Sequence, residues 1–153
     1  TAANAFHNAL SADDVKTALM AELDNLSPSY GMLAKFRIAA AQALAEDYDA
    51  AEASYLLLSD DPEVRQLYRQ AAILLSVMNA PVTRTADELF SRLTVLEGQA
   101  GPWQGMALEQ SAGLALRNGD RKTALAKYET LAGLPDTPPA MRQRASQMLK
   151  ILN

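Results

Sequence analysis

The sequence predicts an all-α fold, a right-handed superhelical array of stacked antiparallel helical hairpins with about nine helices. Apolar residues recur three and four positions apart almost throughout, and no segment alternates polar and apolar residues for long. Helix-start signals and short turns follow one another at regular intervals. An alanine, an aromatic residue four positions later and a leucine three further on recur at three places. A motif repeated at such intervals is typical of stacked helical hairpins.

The start signals divide the chain into helices. Ser27 directly precedes Pro28, and a capping residue before a proline at the first helical position strongly indicates a helix start. Asp61–Pro62, Gly101–Pro102 and Thr137–Pro138 suggest further starts, and Ser11 is expected to cap a helix that begins at Ala12. The predicted helices cover residues 2–10, 12–25, 28–45, 48–58, 62–78, 84–97, 102–117, 121–132 and 138–152.

The turns between these helices are short, so consecutive helices are expected to lie antiparallel within one domain of residues 1–153. That domain is expected to begin with helices in 2–26, to continue with repeat units 28–61, 62–98 and 102–136, and to close with the helix 138–152.

The recurring motif begins at Ala51, Ala86 and Ala124, at spacings of 35 and 38 residues. Its three members share one helix face. The alanine lets the paired helix approach closely, and the ring fills the space between one hairpin and the next. The predicted structural signature is therefore Ala51, Tyr55, Leu58, Ala86, Phe90, Leu93, Ala124, Tyr128 and Leu131.

Composition argues against several functions. The chain has no cysteine and one histidine, His7, so no metal site can be assembled from nitrogen and sulfur ligands, and no cofactor is expected. Adjacent acids such as Asp60 and Asp61 are better explained as helix caps than as a catalytic pair, so we expect no enzyme activity. The net charge of −4 disfavours nucleic-acid binding.

The motif resembles the tetratricopeptide repeat. Asn118–Asp120 match the turn of that family, and Ala124, Tyr128 and Pro135 match its second helix. The family places a small residue twelve positions before the signature alanine, where this chain has Ala39 and Ala112 in the first and third units. The middle unit has Leu74 there, unless a two-residue insertion in its turn restores Ala72, the reading that we favour.

Two longer stretches are more specific. "GPWQGMALEQSAGLALRNGDRKTALAKYETL" and "PDTPPAMRQRASQMLKIL" are similar to the tetratricopeptide-like domain of a bacterial family that includes the ancillary subunit of the Sec translocon. The resemblance implies an extracytoplasmic domain on the periplasmic face of the inner membrane. The anchor would be a segment absent from this chain, and a cytoplasmic location is the alternative.

The resemblance implies a non-catalytic protein–protein interaction domain, associated with protein translocation or envelope assembly, whose partners are extended or helical segments of other proteins. The repeat register places these residues on its inner groove: Leu33, Phe36, Ala40, Gln66, Arg69, Met106 and Glu109. The Lys and Asn residues with which cytosolic members grip a C-terminal carboxylate are absent. The helix at 2–10 could instead fold over Leu33 and Phe36 and fill the groove.

A second hypothesis is a self-associating scaffold, because charge is unevenly distributed. Residues 1–78 carry a net charge of −6 and residues 79–153 a net charge of +2. The acidic region 46–61 of one copy could therefore meet the basic region 117–127 of another. Trp103 is expected to staple a helix end to its neighbour, with an exposed partner anchor as the alternative. Met106, Met141 and Met148 are expected either to pack in the core or to line an adaptable groove.

Overall fold

The computed structural model describes residues 1–153 and is all-helical, which confirms the predicted all-α class and the nine α-helices. One short 3-10 helix, η1, accompanies them. In chain order the elements are α1 (Ala2–Leu10), α2 (Val15–Glu22), η1 (Leu23–Asn25), α3 (Pro28–Leu44), α4 (Tyr48–Asp60), α5 (Gln66–Met78), α6 (Ala86–Glu97), α7 (Gln104–Arg117), α8 (Arg121–Gly133) and α9 (Pro139–Leu152).

The start of α2 differs from the prediction. Asp14, not Ser11, is the N-cap, and its carboxylate accepts a hydrogen bond from the backbone N–H of Thr17 at 3.1 Å. Ser11 instead ends α1, and its hydroxyl donates to the carbonyl oxygen of His7. The predicted start at Ala12 is therefore wrong, because Ser11 bonds back into the preceding helix.

The start of α5 lies four residues after the predicted one. Asp61 is the C-cap of α4, and its carboxylate accepts the backbone N–H of Glu63 at 2.9 Å. This bond holds residues 61–64 in a turn, so Pro62 belongs to the connection and α5 begins at Gln66. Similarly, Pro102 lies in the turn before α7, where half-buried Trp103 is the N-cap.

The chain separates into two compact units, Thr1–Val82 and Thr83–Asn153. We call them the N-terminal unit and the C-terminal unit. In the N-terminal unit α3 packs on α4 and α4 on α5, while α1 and α2 pack on α3. In the C-terminal unit α6, α7, α8 and α9 each pack on the next helix. The boundary falls between α5 and α6, inside the predicted repeat unit 62–98.

Helices α1 and α2 bury one face of α3. Ala9 and Leu19 form a cluster with Ala34 and Ile38 of α3, and the Phe6 ring lies 5.3 Å from the Tyr30 ring. Helix α1 therefore covers the face of α3 that carries Ala34 and Ile38.

The recurring motif lies in the core of each unit. The two tyrosines and all three leucines of the motif are buried, whereas Ala86 and Phe90 are only partly buried. In the N-terminal unit Tyr55 and Leu58 form a cluster with Ala39, Val64 and Ala72. Ala72 of α5 therefore packs against the α3–α4 hairpin of the N-terminal unit. Burial of one such leucine contributes roughly 1.5–3 kcal/mol before entropy is counted.

Helices α3, α4 and α5 are repeated as α7, α8 and α9, 73 residues further along the chain. The core residues match in pairs at this offset, and all of them are buried: Ala39 and Ala112, Ala51 and Ala124, Tyr55 and Tyr128, Leu58 and Leu131, Ala72 and Ala145. The cores of the two units therefore share these five residues at matched positions.

The hairpin turns match at the same offset. The N–H of Asp47 donates to the carbonyl oxygen of Gln42 at 3.0 Å, and that of Asp120 donates to Ala115 at 2.9 Å. Both aspartates are N-caps of the helix that follows. The residue before each aspartate has a positive φ, at Glu46 and Gly119. The two units thus share one hairpin geometry down to individual backbone hydrogen bonds.

Candidate protein-binding clefts

The C-terminal unit contains a cleft of about 740 Å³ between the start of α7 and the connection from α8 to α9. We call it the C-terminal cleft. Its lining is mainly apolar and includes Met106, Met141, Pro102 and Pro138. Asp136 is the only charged residue that lines it. The cleft therefore combines an apolar interior with one carboxylate.

Gly105 allows the walls of this cleft to approach one another. A Cβ atom at Gly105 would lie 2.9 Å from the sulfur of Met141 and 3.4 Å from Cδ1 of Leu131. The distance to the Met141 sulfur is shorter than ordinary van der Waals contact, so any larger residue at position 105 would displace the Met141 side chain. The Met141 side chain of α9 thus occupies space next to α7 that a side chain at position 105 would take.

Hydrogen bonds hold the connection from α8 to α9, which forms one edge of the C-terminal cleft. The buried Thr137 hydroxyl donates to the carbonyl oxygen of Leu131 at 2.9 Å. Nη2 of Arg142 donates to the carbonyl oxygens of Leu134 and Pro135, each at 3.1 Å. These bonds fix the backbone of the α8–α9 connection, as expected for a preformed binding site.

The N-terminal unit has a cleft of about 620 Å³ at the equivalent place, which we call the N-terminal cleft. Every residue that lines the C-terminal cleft, except Pro135, has a counterpart 73 residues earlier in the lining of the N-terminal cleft. Leu33 corresponds to Met106, and Glu63 corresponds to Asp136. The duplication therefore extends from the core to the clefts.

The two clefts differ in charge. Nζ of Lys35 lies 3.2 Å from the carboxylate of Asp61 in the N-terminal cleft. The pKa of Asp61 is held below its usual range, first by the hydrogen bond from the Glu63 N–H and then by Lys35. The equivalent residues of the C-terminal unit are Leu108 and Leu134, which pack in its core cluster. An ion pair in one unit thus corresponds to an apolar pair in the other.

The predicted groove residues lie in different surroundings. Leu33, 42% exposed, lines the N-terminal cleft, and half-buried Met106 lines the C-terminal cleft. Ala40 and Gln66 are exposed but line neither cleft, and half-buried Arg69 also lies outside both. The structure thus brings one predicted residue into each cleft.

Phe36 and Glu109 pack within their own units. The Phe36 ring lies 6.2 Å from the Tyr55 ring and packs against the core. Both carboxylate oxygens of Glu109 accept hydrogen bonds from Arg144, at 2.8 and 2.9 Å, and this contact raises the pKa of the arginine. Sequence reasoning did not single out Gly105 or Asp136, although the proline-rich run around Asp136 is a signal for a constrained surface loop.

No group of three or more His, Cys, Asp or Glu side chains is arranged to hold a metal ion. A bilayer crossing needs about 20 consecutive apolar residues, and no helix here combines that length with that hydrophobicity. No protein-family model, no curated protein and no solved structure matches the chain.

Proposed function

We propose that this chain is a non-catalytic protein–protein interaction domain, and that its C-terminal cleft docks an extended or helical segment of another protein. The observation that carries the proposal is the C-terminal cleft itself, a mainly apolar hollow of about 740 Å³ with one carboxylate on its lining. Such hollows, with few polar groups on a fixed backbone, are the usual form of a binding site.

The side chains of the cleft suit a partner of variable sequence. Met106 and Met141 face it from α7 and α9, and methionine adapts its shape to different apolar surfaces. A cleft of this size holds only a few partner side chains, which favours weak and transient binding over a permanent complex. Leu33 offers an apolar side chain at the same place in the N-terminal cleft.

The lining of the C-terminal cleft supports the non-catalytic part of the proposal. Asp136 is the only titratable side chain that lines the C-terminal cleft. General acid–base chemistry usually requires a second group with a complementary role close to the first. The single histidine, His7, is exposed on α1 and is remote in sequence from the residues of this cleft.

The resemblance of the sequence to tetratricopeptide repeats, and to the family of the ancillary Sec-translocon subunit, extends the proposal. On that basis the domain belongs to a bacterial protein anchored in the inner membrane by a segment outside this chain. It would act on the periplasmic face in protein translocation or envelope assembly. A cytoplasmic interaction domain is the alternative, and the same cleft would serve it.

Site-specific photocrosslinking in bacterial cells tests the docking surface. A benzophenone amino acid is placed at Met106 inside the cleft or at Val95 of α6, which is 50% exposed and does not line the cleft. We expect a discrete adduct from position 106, its loss when Met141→Glu is added, and no such adduct from position 95. Equal adducts from both positions, or an adduct insensitive to Met141→Glu, would contradict docking in this cleft.

A further inference from the structure

The turns of the two equivalent hairpins carry opposite charges. We call residues 44–49, the α3–α4 turn with the adjoining helix ends, the acidic tip, and residues 117–122, the α7–α8 turn with its adjoining helix ends, the basic tip. Both tips are exposed throughout. The acidic tip contains Glu46, Asp47 and Asp49, whereas the basic tip contains Arg117, Arg121 and Lys122 together with one acid, Asp120.

The shared backbone shows which of these charges the fold requires. Asp47 and Asp120 are both N-caps, so their carboxylates serve the hairpin itself. The contrast lies at other matched positions, where Asp49 of the acidic tip corresponds to Lys122 of the basic tip. Hairpin geometry does not explain that difference, because the backbone bond from the capping aspartate, to Gln42 in one turn and to Ala115 in the other, is the same in both.

The acidic tip also has a feature that suits contact with the basic tip. Leu44 is 88% exposed and Tyr48 is 40% exposed, so the acidic tip presents apolar surface beside its carboxylates. On the basic tip, Nε of Arg121 donates to the carbonyl oxygen of Leu152 at 2.8 Å, which holds this guanidinium against the end of α9. The aliphatic stem of Arg117 can cover an apolar side chain while its charged end meets a carboxylate.

Each tip has the same sign of charge as the unit to which it belongs. The N-terminal unit has eleven acidic and five basic residues, a net charge of −6, and the C-terminal unit has seven and nine, a net charge of +2. Two copies of the chain therefore attract each other when unlike units meet and repel each other when like N-terminal units meet.

We propose that the partner of the acidic tip is a second copy of this chain, which docks through its basic tip. The contact joins two different surfaces, so it either closes a ring or continues into a longer chain of copies. It is small and consists of exposed charges around Leu44, so self-association is weak, depends on protein concentration and is suppressed by salt. This contact is separate from the C-terminal cleft and does not rest on docking there.

Sedimentation velocity of the whole chain over a concentration series, at low and at high salt, tests the proposal. One variant reverses the acidic tip with Glu46→Lys and Asp49→Lys, and the other reverses the basic tip with Arg117→Glu and Lys122→Glu. Each variant alone carries two tips of like sign. We expect its association at low salt to weaken by more than about tenfold, because like charges then face each other.

The mixture of the two variants is the decisive sample. The first variant has two basic tips and the second has two acidic tips. An equimolar mixture should therefore associate at low salt, while each variant alone remains monomeric. A control with the same number of reversals, Arg37→Glu and Glu129→Arg, changes two exposed charges outside both tips and leaves the net charge at −4, so it should associate as the unmodified chain does. A monomeric unmodified chain at every concentration, or association unchanged by either tip reversal, overturns the proposal.

Discussion

The three helices α3–α5 and the three helices α7–α9 share a hairpin turn, five matched core residues and the position of a cleft, yet they differ at other matched positions. The N-terminal cleft contains the Lys35–Asp61 ion pair, and the C-terminal unit has Leu108 and Leu134 at the same positions. The tips carry opposite charges. Packing therefore fixes the buried alanines, tyrosines and leucines that match at the 73-residue offset, which we call the seam, whereas the positions around the seam differ in charge and polarity.

The strongest test of this comparison removes the aromatic member of the seam. Tyr55 and Tyr128 are buried at matched positions, so Tyr55→Ala and Tyr128→Ala should each lower the free energy of unfolding by about 3–5 kcal/mol. Phe90→Ala should cost less, because Phe90 is only partly buried. Urea unfolding followed by circular dichroism measures all three losses.

The control for these substitutions is Leu57→Ala on α4. Leu57 is 73% exposed, so its replacement should change the free energy of unfolding by no more than about 0.5 kcal/mol. The equivalence of the units would be contradicted if one tyrosine substitution cost several kcal/mol and the other cost as little as Leu57→Ala.

A smaller effect distinguishes the two hairpin turns. Gly119 has a φ of 76°, and the equivalent Glu46 has a φ of 60°, a conformation that favours glycine. Gly119→Ala should destabilise the chain and Glu46→Gly should stabilise it, each by about 1 kcal/mol. Thermal unfolding of the two variants measures both. If both substitutions changed stability in the same direction, the matched backbone geometry would be wrong.

The smallest expected effect concerns pH. The pKa of Asp61 is depressed in the folded chain by the Glu63 N–H and by Lys35. Its stabilising contribution is therefore complete above the unfolded-state pKa of about 4 and is lost as the pH falls through the lower folded-state pKa. Asp61→Asn should reduce stability near neutral pH, and the difference from the unmodified chain should shrink in acid.

Urea unfolding at several pH values measures this difference. Leu134 stands at the equivalent position of the C-terminal unit, so that unit lacks a counterpart of this carboxylate. A stability difference between Asp61→Asn and the unmodified chain that stayed constant down to about pH 2 would contradict the assigned ion pair.

Much of the fold follows from the sequence, because helix periodicity and the recurring motif depend on local spacing. The buried seam includes Tyr55 and Tyr128, which the motif places in the core. Helix starts are less predictable where two polar residues compete. Ser11 and Asp14 could each cap α2, and Asp61 could either cap α5 or close a turn.

The clefts follow less directly from the sequence. The groove prediction assigns faces by repeat register, and register alone does not reveal that Phe36 packs against Tyr55 or that Glu109 binds Arg144. These contacts depend on which side chains the next helix presents. The role of Gly105 likewise becomes visible only once Met141 lies over it.

Proton–proton NOE measurements by NMR on the unmodified chain test the duplicated seam most directly. We expect contacts between the Tyr55 ring and the methyl groups of Ala39 and Ala72. We expect the same pattern between the Tyr128 ring and the methyl groups of Ala112 and Ala145. Tyrosine–alanine contacts present in one unit and absent from the other would contradict the duplicated seam.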